Sequence, residues 1–84
     1  MVAKDHKRTV YEVQHDPRKR DWRVVIEGSN RVVARDRLKD VAIREAIQAA
    51  KGRPLGRIRI KGRDGHVQEE RTYPRSAGPR RTAG

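Results

Sequence analysis

Eighty-four residues, 33% hydrophobic and 39% charged, with 22 Lys and Arg against 11 Asp and Glu, allow one small domain with a thin core and a formal charge of +11. No apolar run approaches the roughly 18 to 20 residues of a membrane span, and MVAKDHKR at the amino end has no hydrophobic segment that could act as a secretion signal, so a cytoplasmic location is expected. Cysteine is absent, which excludes disulfides, thiolate metal sites and thiol nucleophiles together.

Residues 1–8 are polar and basic without periodicity and are expected to form a flexible arm. Thr9 to Gln14, TVYEVQ, reads as a first strand with Tyr11 and Val13 on one face and Val10, Glu12 and Gln14 on the other. HDPRKRD follows as a hairpin turn, and Arg18, Lys19 and Arg20 must stand in water at its tip. Trp22 to Glu27 alternates cleanly as a second strand, with Trp22, Val24 and Ile26 inward and Arg23, Val25 and Glu27 outward. Gly28 to Asn30 make the next turn, and Arg31 to Arg35 reads as the third strand of a meander.

Asp40 to Lys51, DVAIREAIQAAK, is the only stretch with helical spacing: Ile43, Ala46, Ile47 and Ala50 form a stripe that Ala42 and Ala49 widen. Asp40 is the expected amino cap, and Gly52 the expected left-handed stop before Pro54. In the strand that follows, Ile58 and Ile60 face inward while Arg57, Arg59 and Lys61 share the opposite face. GRDG, residues 62–65, is a turn in which Asp64 and Gly65 suit positive φ, and Val67 resumes the inward pattern in a last strand ending near Tyr73. Residues 74–84 have too little apolar content to order themselves and are expected to form a disordered basic tail.

The order strand, strand, strand, helix, strand, strand predicts a single α+β domain over residues 9–73, an antiparallel sheet with one helix packed on one face. The predicted core is Tyr11, Val13, Trp22, Val24, Ile26, Val33, Ile43, Ala46, Ile47, Ala50, Ile58, Ile60 and Val67. So small a core makes homodimerisation through an edge strand or Val25 a reasonable expectation.

An amino-terminal strand, the pair Trp22 and Val24, the helix segment KDVAIREA and the hairpin IKGRDGHV before a tyrosine together resemble a family of small bacterial proteins, domain of unknown function 2188. The resemblance covers about residues 9–73, its most specific part being Gly62 to Val67, and it implies a compact strand and helix domain but no activity. Where that family tends to carry a small hydroxyl residue before the helix, Leu38 stands here, so the cap must come from Asp36 or Asp40.

No nucleophile, base and orienting group assemble, so no enzyme is expected. His6, His15 and His66 fall in an arm and two turns without metal-ligand spacing, adjacent Glu69 and Glu70 face opposite sides of a strand, and neither glycine turn leads into a phosphate-binding helix. No metal or cofactor is expected. What does assemble is basic surface: Arg23, Arg57, Arg59 and Lys61 on the open face of the sheet, flanked by Arg18, Lys19 and Arg20 in one hairpin and Arg63 in the other. Aromatics are 4% of the chain and Tyr11 and Trp22 are needed inside, so unpaired bases have no stacking platform and duplex phosphates are favoured. The expected function is therefore a small non-enzymatic DNA-binding protein of the nucleoid or a regulatory accessory. The alternatives are a module that docks an acidic protein, or an RNA- or ribosome-binding protein.

Overall fold

The computed structural model describes residues 8–29 and 31–73. Five strands and one helix follow in the order β1 (Arg8–Asp16), β2 (Asp21–Ile26), β3 (Val32–Asp36), α1 (Lys39–Lys51), β4 (Leu55–Lys61) and β5 (Val67–Tyr73). Arg8, assigned to the arm from sequence, belongs to β1; the rest of the expected arm and the tail from residue 74 lie outside the described residues.

The sheet has the order β3-β2-β1-β4-β5, so the first strand is the central one. The antiparallel sheet expected from sequence is corrected to a mixed one: β1 pairs antiparallel with β2, but parallel with β4, with Tyr11 opposite Ile58 and Val13 opposite Ile60. The reason is the helical crossover. β3 is antiparallel to β2 and so runs in the direction of β1, and α1, about 20 Å long at 1.5 Å per residue, carries the chain back to where β1 begins. β4 then sets out in the same direction as β1. Both hairpin tips, residues 17–20 and 62–66, consequently project from one end of the sheet.

Tyr11, Val13, Trp22, Val24, Ile58 and Ile60 are buried beneath α1, each contributing roughly 1.5 to 3 kcal/mol where a large side chain leaves water. The helix meets them with alanines: Ala42, Ala46 and Ala50 are fully buried at successive i, i+4 positions, while Ile43 and Ile47 flank the seam as half-buried residues. Small residues here let the helix lie close to the sheet. Gly56 of β4 completes the fit, because a Cβ at that position would stand 2.5 Å from the carbonyl oxygen of Ala50.

Two predicted core valines are not core. Val33 is 42% exposed and Val67 is 47% exposed. Val33 faces out because its neighbour Ala34 faces in opposite Val24, whereas Val67 lies where the register shifts, between Ile60 and Lys61 against β5. A bulge adds one residue to one strand and reverses the phase of everything beyond it, so Val67 pairs with Lys61 on the open face instead of with Gly62.

The helix ends also depart from expectation. Leu38 occupies the N-cap position without a side-chain hydrogen bond; Asp36 Oδ2 accepts the Leu38 N–H at 2.8 Å, and Asp40 lies inside the first turn. Gly52 is right-handed, with φ −82 and ψ 0, and the last turn tightens through Gly52 N–H to Ala49 O at 3.2 Å and Arg53 N–H to Ala50 O at 3.1 Å. Of the expected positive-φ pair in the second hairpin, Gly65 is left-handed at φ 87 and Asp64 is not.

Candidate functional site

The face of the sheet away from α1 carries Arg8, Arg23, Arg35, Arg57, Arg59 and Lys61. The same face carries Glu12, Asp16, Asp21 and Glu70, and Glu27 at the turn after β2, so six cations stand among five carboxylates. Sequence reading placed the cations correctly, but the carboxylates reach them. Arg59 pairs with three: Glu27 at 2.9 Å, Glu70 at 3.1 Å and Glu12 at 3.3 Å. Lys61 pairs with Glu12 at 3.2 Å. Toward the hairpin end, Arg35 bridges Asp21 at 2.9 Å and Asp16 at 3.2 Å, while Arg23 reaches Asp16 at 3.5 Å and donates from Nε to Gln14 Oε1 at 3.1 Å.

The charges are mutually set. Glu27 above all, with Glu70, raises the Arg59 guanidinium above its ordinary pKa against the opposing effect of burial. Burial pulls the Glu12 carboxyl up, but hydrogen bonds from Gln14 and Lys61 and the charges of Lys61 and Arg59 outweigh it and leave it below its ordinary value. Asp16 behaves alike: burial opposes its charge, and Arg35 with the backbone N–H groups of Lys19 and Arg18 holds the carboxyl low. A face so matched in sign has little field left to offer a polyanion.

The predicted site residues therefore divide into three groups. Arg23, Arg59 and Lys61 are engaged in ion pairs within the face. Arg57 makes no ion pair among the described residues and sits at the end of β4 remote from the hairpin tips. Arg18, Lys19, Arg20 and Arg63 are exposed at the tips and make no ion pair among the described residues. By strand spacing the two tips stand roughly 10 Å apart, two strand separations along the sheet.

Other charged groups serve the fold. Lys39 at the start of α1 places Nζ 4.8 Å from the Trp22 ring centroid and donates to Gln68 Oε1 at 2.8 Å, closing the helix onto β2 and β5. Arg53 Nε donates to the hydroxyl of buried Tyr11 at 2.9 Å. His15, read as a turn residue from sequence, belongs to β1, with its ring 4.9 Å from that of Trp22. His66 lies in the second turn beside Asp64, Nδ1 to Oδ2 3.1 Å. Among the described residues no three His, Cys, Asp or Glu side chains are grouped to hold a metal ion.

Sequence reading missed Arg35 and the roles of Glu12, Asp16 and Asp21. Their signal was present in part: Glu12, Gln14 and Asp16 recur at period two on the outward face of β1, in phase with the cations of its neighbours. Using it requires knowing that β1 lies between β2 and β4.

Fold and surface define a small α+β domain with a mixed sheet, a charge-matched open face and a basic hairpin end. The chain belongs to the family described as "Uncharacterized protein conserved in bacteria (DUF2188)", whose profile matches residues 11–73. No curated protein and no solved structure matches it.

Proposed function

We propose that this protein is a non-enzymatic binder of double-stranded DNA, acting in the cytoplasm on the nucleoid, and that its hairpin end makes the principal contact. One observation carries the reading: in a chain of formal charge +11, Arg18, Lys19, Arg20 and Arg63 stand exposed together at one end of the sheet and make no ion pair among the described residues, whereas Arg23, Arg35, Arg59 and Lys61 of the sheet face are paired. Free guanidinium groups take phosphates; paired ones must first give up a carboxylate. Arg57 adds a secondary contact from the far end of β4.

The test is a titration of the full chain into fluorescent duplex DNA across a salt series. Neutralising about four phosphates gives a log-log slope near −3.6. Replacing Arg18, Lys19, Arg20 and Arg63 together by alanine makes the slope shallower by up to about three, and replacing Arg57, Arg59 and Lys61 by alanine makes it shallower by about one. Circular dichroism establishes that each variant is folded. Absence of binding at low salt, or a tip variant that binds like the parent, defeats the reading.

A second reading is a protein partner at the edge formed by β3, favoured by the exposure there of Val32, Val33 and Leu38 at 39, 42 and 63%. Such a partner loses affinity with Leu38→Asp and is indifferent to the tip substitutions.

A further inference from the structure

We infer that copies of this chain assemble head to tail along the sheet, β3 of one copy pairing with β5 of the next, into an open row rather than a closed dimer. The interface uses the two sheet edges and is independent of the duplex reading above.

The sheet ends in two open edges, β3 and β5. The large hydrophobic side chains left exposed among the described residues are Val32, Val33, Leu38 and Val67, and all four lie on or next to these edges. Val32 and Val33 begin β3, Leu38 follows it and shares a recess with Arg35 and Asp36, and Val67 opens β5. Neither strand contains a lysine or a proline, the usual guards of an exposed edge.

The two edges are opposite in charge. β3 and its flanks carry Arg31, Arg35 and Arg37 against Asp36, whereas β5 carries Glu69 and Glu70 against Arg71. Pairing β3 with β3 of another copy sets arginine against arginine, in a chain whose +11 charge already repels its like. β5 is the edge that offers these arginines carboxylates.

Strand direction fits as well. β3 runs with β1 and β5 runs against it, so a second copy set beside the first in the same orientation meets β3 with an antiparallel β5 and keeps its helix on the same face. Arg35 and Glu70 both point to the open face, across from Arg23 and Arg59 in their own sheet. With Arg35 set against Glu70 of the second copy, antiparallel counting places Val33 against Thr72 and Leu38 against Val67. The exposed apolar side chains at the hairpin end thus cover one another. Each added copy leaves one β3 and one β5 free, so growth does not close. Both hairpin tips project from one end of the sheet, and each copy therefore extends a single row of Arg18, Lys19, Arg20 and Arg63 by about 24 Å, five strand separations.

Sedimentation velocity of the full chain is measured from about 1 μM to about 1 mM, in about 0.3 M salt to screen the repulsion between copies. The weight-average mass is expected to climb past the dimer without a plateau. Val33→Lys with Leu38→Lys blocks β3, and Val67→Lys with Glu70→Lys blocks β5; all four positions are exposed, and circular dichroism establishes that the variants are folded. Should either pair not fold, Leu38→Lys and Val67→Lys alone take their place. Each blocked variant is expected to stay monomeric by itself, and an equimolar mixture to form a dimer that grows no further, because one intact β3 and one intact β5 remain between them. A parent that stays monomeric, a parent that stops at a dimer, a β5-blocked variant that still dimerises, or a mixture that stays monomeric overturns the inference. Duplex binding stands or falls separately.

Discussion

Gly56 and Arg59 lie three positions apart on β4 and show two ways in which one residue holds this fold. Gly56 faces α1, where an added Cβ would stand 2.5 Å from the Ala50 carbonyl oxygen and 2.9 Å from its Cα and Cβ, contacts with backbone that cannot swing aside. Gly56→Ala is expected to lower stability by about 1 to 3 kcal/mol in urea melts, with the helix forced outward; an unchanged midpoint would show that the layers are not in contact there. Arg59 faces the other way and joins Glu12, Glu27 and Glu70. Arg59→Ala leaves three carboxylates facing one another and is expected to lower stability by about 1 kcal/mol, while Arg57→Ala, which breaks no ion pair, changes the urea midpoint little. Equal effects of the two substitutions would remove the network from the account. The inward or outward side of each of these residues follows from strand alternation in the sequence, but the partners do not, because they come from strands distant along the chain.

At the scale of elements, α1 carries an unused opportunity at its start. Leu38 has the extended backbone of an N-cap, φ −100 and ψ 132, but makes no capping hydrogen bond, and its side chain is 63% exposed. Leu38→Ser is expected to stabilise the protein by about 0.5 to 1 kcal/mol, since an oxygen there can accept an orphan N–H of the first turn and little apolar burial is lost. A fall in Tm would mean that the leucine is engaged in contacts its exposure does not suggest. The existence of α1 and of every strand was legible, because apolar residues recur at helical spacing from Ala42 to Ala50 and alternate in β2 and β4. The direction of β4 was legible in principle as well, since a strand, a helix and a strand in one sheet usually make a parallel pair. The bulge opposite β4 was not: nothing in Val67 announces the extra residue that turns it outward, whereas Val33 faces out simply because its neighbour Ala34, opposite inward Val24, faces in.

For the molecule as a whole, carboxylates ion-paired on both sides of the sheet set the response to acid. Glu12, Asp16 and Glu69 have carboxyls held below their ordinary values of 4.5, 3.8 and 4.5. In Glu69 the cause is chiefly the hydrogen bond from Arg71. A carboxyl depressed in the folded state takes up its proton more readily in the unfolded chain, so its contribution is present above the ordinary value and is lost as pH falls toward the folded one. Stability in urea is expected to be flat from about pH 8 to pH 6 and to fall below roughly pH 4.5, less steeply in Asp16→Asn. A profile level down to about pH 3 would contradict the ion pairs as drawn. That network uses Arg23, Arg35, Arg59 and Lys61, whereas the tip cations Arg18, Lys19, Arg20 and Arg63 make no ion pair among the described residues, so stability and the proposed duplex binding are expected to respond to different arginines.

The sequence by itself determined the elements, the single layer of helix on sheet, most of the core and the excess of positive charge, because all of these depend on residue type and on spacing within one segment. It also placed Arg57, Arg59 and Lys61 together on the outward face. Tertiary structure alone decided which charges meet. Glu12, Glu27 and Glu70 converge on Arg59 only because β1 is central and β4 lies beside it, an adjacency created by the crossover of α1. Charge in a composition is a sum, whereas the field at a surface depends on which opposite charges stand within a few ångströms, and that is settled only when the strands have paired.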